Sequence, residues 1–177
     1  MKSTNRVFKP AYVAAAIVAL LAIACVPAAS AGTATANLSV TATIVNNCSI
    51  STTAVAFGNY DPAVANASTA LTANGAISTT CTKGDAETIT LGQGSNAGTG
   101  STAAAPVRRM INGTTNYLNY ALYSNSGLTT VFDGSTGVAV TGTGTAVSTT
   151  VYGSVAAGQN TLPAGSYSDT VVATVTF

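Results

Sequence analysis

Along most of this chain apolar residues alternate with small polar ones at a period of two. Leu38, Val40, Ala42 and Ile44 project to one side, while Ser39, Thr41 and Thr43 project to the other. That is the pattern of a half-buried strand, and Asn46-Asn47 ends it. Val55 and Phe57 alternate again, before Gly58 and the Asp61-Pro62 step predict a turn. Ile77, Thr79 and Cys81 share a face. Lys83-Gly84-Asp85 then reads as a hairpin turn, with Ile89 and Leu91 on the returning strand. Gly92 to Ala105 is poor in large side chains and reads as a mobile surface loop. The strand pattern resumes at Val107 to Ile111 and turns at Asn112-Gly113. It returns through Leu118, Tyr120 and Leu122, whose neighbours Tyr117, Asn119, Ala121 and Tyr123 form a second usable face. Such a strand belongs in the middle of a sheet.

Short strands are also predicted near Thr129 to Phe132, Val138 to Val140 and Val147 to Val155. Pro163 and Gly165 introduce a last run from Tyr167 to Phe177. On that run Val171, Ala173, Val175 and Phe177 share one face, and an apolar strand at a sheet edge invites pairing with another chain. Many short strands with frequent turn signals predict one all-β sandwich.

Residues 1–31 read differently. Lys2, Arg6 and Lys9 precede an apolar run from Ala11 to Val26, and Ala29-Ser30-Ala31 supplies small residues for cleavage before Gly32. This is a secretory signal. The sequence before Cys25, Ala22-Ile23-Ala24, lacks the Leu expected of a lipoprotein signal. Removing the leader leaves three cations (Lys83, Arg108, Arg109) and five carboxylates (Asp61, Asp85, Glu87, Asp133, Asp169). It also leaves Cys48 and Cys81 as an even pair in a chain bound for an oxidising compartment, so a disulfide is expected. A redox or metal reading of the pair lacks both Cys-x-x-Cys spacing and a supporting ligand.

Composition narrows the function. Only 6% of residues are charged and there is no His, so Ser-His-Asp and Cys-His nucleophile systems and His-based metal sites are ruled out. With a net charge of +1 the chain offers no basic surface for a phosphate backbone, so no nucleic-acid partner is expected. Asp61 and Asp169 sit in turn-like contexts where Asp accepts nearby backbone N–H groups, and Asp85 and Glu87 read as solvated beside their turn. Arg108-Arg109 reads as solvated surface or as a loop anchor. No catalytic or metal site is assigned, nor any small-molecule cofactor, and the chain is not expected to be an enzyme.

An ordered set of segments resembles the spore coat protein U domain family, which includes the pilin subunits of archaic chaperone-usher pili. The set comprises the Cys48 segment, Phe57-Gly58-Asn59-Tyr60-Asp61-Pro62, Ile77 to Thr82, Arg109-Met110, Leu118 to Tyr123, Val151-Tyr152-Gly153, Pro163 to Thr170 and the terminal alternating strand, with Phe132 as the aromatic before the next turn. The resemblance implies an incomplete immunoglobulin-like β-sandwich, residues 48–177, that lacks its last strand. It implies that residues 32–47 form a donor strand, with Leu38, Val40, Ala42 and Ile44 entering a neighbouring subunit beside the edge strand Val171, Ala173, Val175 and Phe177. The implied partners are neighbouring pilin subunits, a periplasmic pilus chaperone and an outer-membrane usher, on a route through the periplasm to the cell surface. The implied role is a structural pilus subunit in surface attachment and biofilm formation. The alternative is a secreted coat-forming or carbohydrate-binding β module.

Overall fold

A computed structural model describes residues 30–177 of the chain. The secretory leader expected over residues 1–31, with Cys25, therefore lies outside the described residues apart from Ser30 and Ala31. The chain divides into two units, Met1–Ala42 and Thr43–Phe177. In the first, residues 30–42 carry neither strand nor helix and are exposed throughout. The strand expected over 38–44 therefore does not form within this chain, and its side chains are not half-buried. Leu38, Val40 and Ile44 are 87%, 85% and 87% exposed.

The second unit is all-β. Its strands are β1 Cys48–Thr53, β2 Leu71–Cys81, β3 Ala86–Leu91, β4 Arg108–Asn112, β5 Asn116–Tyr123, β6 Val138–Thr141, β7 Val147–Val155 and β8 Ala173–Thr176. One sheet has the order β1-β2-β7-β5-β4 and the other β6-β3-β8, with every pairing antiparallel. Ile77, Leu122 and Val151 of the larger sheet cluster with Ile89 and Leu91 of the smaller one, and Phe132 completes this core. As its two-faced pattern predicts, β5 lies inside its sheet, between β7 and β4. Cys48 and Cys81 are disulfide-bonded across the first register pair of β1 and β2, 4.1 Å apart at Cα.

Several expectations are corrected. Residues 83–84 do turn, with Gly84 at φ +87°. They do not close a hairpin, because β2 belongs to one sheet and β3 to the other. A strand arching over the core and a hairpin strand both present one apolar face inward, so alternation cannot separate them. Between 129 and 132 only an isolated bridge forms, from Val131 to Tyr123, and before β8 only Ser168 bridges, to Ile111. Asp85 and Glu87 are buried, 7% and 2% exposed.

Nor is residues 92–105 a free loop. The Arg108 guanidinium, 2% exposed, donates to the carbonyls of Leu91 (2.9 Å), Gly92 (2.7 and 2.9 Å) and Phe132 (2.8 Å). Arg109 donates to Asn96 O (3.1 Å) and Ala97 O (2.9 Å) and stacks 4.0 Å over the Tyr117 ring. The two arginines face opposite sides of β4 and each anchors one stretch of that loop. Burial lowers the pKa of Arg108, with Tyr120, Asp133 and Asp169 opposing the shift. The group stays charged, as guanidinium does in proteins.

Two stability predictions follow from these anchors. Arg108→Met should cost about 3 kcal/mol or more, because two buried carbonyls and a partly buried third lose a charged donor. A urea midpoint equivalent to less than about 1 kcal/mol of change would show that water replaces it. Thiol titration of the exported protein should find no free thiol, and Cys48→Ser should cost roughly 2–5 kcal/mol in the same unfolding assay. Two titratable thiols would remove the bridge from the account.

Candidate functional site

Each sheet ends on the same side in a strand with one free edge. β1 pairs only with β2, and β8 only with β3. Between them lies an opening whose lining reaches core residues. The inward row of β1 shows this directly: Ile50 stands opposite the buried Thr79 yet is 38% exposed. In a closed sandwich such a position is covered by the facing sheet.

The opening is a groove. One stretch, of 460 Å³, has Ile77, Leu91, Leu122 and Val151 in its lining, with Val55 toward β1 and Val171 toward β8. A second, of 670 Å³, is lined by residues that include Leu118, Val155, Gln159 and Leu162. Val55, Phe57, Met110 and Tyr167 line both stretches, so the two are neighbours along the sandwich. The lining of the first stretch is mainly apolar and that of the second is mixed, and among the described residues Asp169 is the one carboxylate in either.

One wall depends on two glycines. After β1 the chain crosses the inner face of the larger sheet, and Val55 and Phe57 lie against it. A Cβ at Gly75 would stand 2.6 Å from Thr53 O and 2.7 Å from Val55 Cγ2. At Gly153 it would stand 2.6 Å from Val55 Cγ1 and 2.7 Å from Phe57 Cζ. Only a residue without a side chain leaves room for this crossing. Phe57 then meets Tyr120 edge to face, ring centroids 6.2 Å apart. The sequence signals turns and alternation here, but not that strand glycines make space for a crossing segment.

The other wall is the β8 run. Val171, Ala173 and Val175 are half-buried and pack on the core, in the row predicted for them. Phe177 lies beyond β8 and is 52% exposed, so it does not complete that row. A polar clamp fixes the start of the run. Tyr120 Oη donates to Asp169 Oδ2 at 2.7 Å, and Asp169 Oδ1 accepts from Asn96 N (3.1 Å) and Nδ2 (2.9 Å). Burial, then the bond to Asp169, raises the pKa of Tyr120 far above its usual value, so it serves as a permanent donor. Asp61 accepts from Ala63 N and Val64 N, as its turn context predicts.

Chemically, the groove offers apolar depressions beside a strand edge with unpaired N–H and C=O groups. That combination suits an extended segment whose alternate side chains are apolar. Leu38, Val40, Ala42 and Ile44 are such a set, all exposed.

A family model of the Spore Coat Protein U domain matches residues 34–174. Protein U of Myxococcus xanthus is 44% identical over 172 residues, covering 92% of this chain and 96% of that protein. Among solved structures, the fold is similar to the CsuC-CsuE chaperone-tip adhesion subunit pre-assembly complex from archaic chaperone-usher Csu pili of Acinetobacter baumannii. The TM-score is 0.56 at 20% identity, and the match spans 76% of this chain but only 40% of that one. Fold likeness supports an immunoglobulin-like sandwich. The family match over nearly all of the described residues, together with the close relative, shows that the chain belongs to the spore coat protein U domain family.

Proposed function

We propose that this protein is a structural subunit of a chaperone-usher surface pilus that polymerises by donor-strand exchange. Residues 32–47 of one copy fill the groove of the next. The observation that carries this reading is the pairing, within one chain, of an open apolar groove beside a free strand edge with an exposed segment of matching alternation. In extended form Leu38 to Ile44 spans about 20 Å and lays its apolar row along one side. Burying Leu38, Val40 and Ile44 supplies on the order of 5–8 kcal/mol gross before ordering costs.

Head-to-groove contact is heterologous and does not close, so it builds a fibre. Before assembly the groove needs a temporary occupant, the role assigned here to a periplasmic chaperone, with release at an outer-membrane usher. A neighbour that is a chaperone-subunit complex supports such a partner. The fibre's place is the cell surface, with a role in attachment and biofilm formation. A second reading, a coat-forming subunit, is favoured by the family's description and uses the same contact in a layer instead of a filament.

The test is Val40→Asp. It should leave the fold and chaperone binding intact, because Val40 is exposed in its own chain, and should stop polymerisation by placing a carboxylate in a neighbour's apolar groove at a cost of several kcal/mol. The melting temperature in chaperone complex should match wild type, and electron microscopy should show no fibres. Normal fibres from the variant, or a variant that cannot fold, would contradict the proposal. Sheets instead of filaments from wild type would favour the coat reading.

A further inference from the structure

A cluster at the disulfide end of the sandwich is not explained by the groove. Glu87 is 2% exposed, and neither of its carboxylate oxygens has a hydrogen-bond partner. It lies on the inward row of β3 with Ile89 and Leu91. Its carboxylate and the sulfurs of Cys48 and Cys81 lie within 4.8 Å of one another. Asp85 is close too, with Oδ2 3.8 Å from Cys48 Sγ and Oδ1 accepting from Asn46 Nδ2 at 2.9 Å. Thr79 Oγ1, on the inward row that leads to Cys81, is also buried and unpartnered. A carboxylate withdrawn from water with no hydrogen-bond donor among the described residues is costly to keep. The fold has brought beside the cysteine pair the supporting ligand that the sequence does not reveal.

We propose that, when Cys48 and Cys81 are reduced, they and Glu87 bind a thiophilic divalent cation of the Zn²⁺ class, and that disulfide and metal are mutually exclusive states of one site. Two thiolates and a carboxylate suit such a cation, and a 2+ charge supplies the partner that Glu87 lacks. A tetrahedral ion with ligands at 2.0–2.3 Å holds them roughly 3.5 Å apart, a small contraction from the observed cluster once the sulfurs are free to separate. Asp85 Oδ2 or a water takes the fourth position.

The chemistry balances with a thiol as reductant. Two R–SH reduce the bridge to two cysteine thiols and leave R–S–S–R, and the cation then displaces two protons from those thiols. In reverse, a disulfide R–S–S–R accepts the two electrons of the thiolates, its S–S bond breaks as the cysteine S–S bond forms, two R–S⁻ leave and take up two protons from water as R–SH, and the cation is released. In a chain not yet oxidised, the bound ion would staple β1 to β2 at the position the disulfide later occupies.

The exported chain, reduced with a phosphine that is then removed, should be titrated with Co²⁺. Near-ultraviolet thiolate charge-transfer and visible tetrahedral bands should appear, and should be absent from the oxidised protein. Glu87→Gln should weaken binding by at least the roughly 10- to 100-fold that loss of an outer partner costs a metal site, while its disulfide still forms on oxidation. Zn²⁺ should raise the melting temperature of the reduced chain and leave that of the oxidised chain unchanged. The proposal is overturned if the bands are missing, if Glu87→Gln binds Co²⁺ as tightly as wild type, if oxidised protein binds equally, or if the reduced chain is unfolded and Zn²⁺ does not refold it.

Discussion

Two unpaired strand edges flanking a groove that reaches the core set the terms for everything else in this sandwich. β1 and β8 each leave one edge unpaired on the same side of the sandwich, and the apolar row between them faces a groove. Exposed apolar surface beside unpaired main-chain groups is an aggregation hazard in a finished protein. In an assembling one it is a binding site whose occupant supplies both the missing hydrogen bonds and the missing side chains. The proposed function follows from that constraint, because the chain carries an exposed segment with the required alternation.

Holding a groove open requires rigid walls, and most of the unusual features of the sequence serve them. Gly75 and Gly153 let Val55 and Phe57 lie against the larger sheet. Arg108, with no side-chain partner, fastens Leu91, Gly92 and Phe132 by their carbonyls. The Tyr120–Asp169–Asn96 clamp fixes the entry to β8. The Cys48–Cys81 bridge ties β1, an edge strand, to its one neighbour. Of the eight charged residues among those described, three are buried: Arg108, Asp85 and Glu87.

Within the sandwich, alternation of large side chains located four of the eight strands. β4, β5, β6 and β7 lie where the period-two runs put them, and the cysteine pair is joined. β1 was not readable, because Cys-Ser-Ile-Ser-Thr-Thr carries a single large apolar residue and its inward row faces open space. The arch from β2 to β3 carries hairpin signals, since local turn chemistry does not record which sheet receives the next strand. Glu87 and Asp85 read as solvated beside their turn; only the fold shows them against the disulfide. The row Val171, Ala173, Val175 was legible, while the exposure of Phe177 was not, because β8 ends at Thr176.

In the proposed fibre the exposed N-terminal segment of one copy completes the groove of another. Hydrogen–deuterium exchange on the exported chain, compared between its monomeric and assembled forms, tests this most directly. The account predicts that amides from Leu38 to Ile44 exchange freely in the monomer and become strongly protected on assembly, together with the free edge of β8 from Val171 to Thr176. Assembled material in which Leu38 to Ile44 still exchanges at the free rate, or a chain that never assembles, would contradict it.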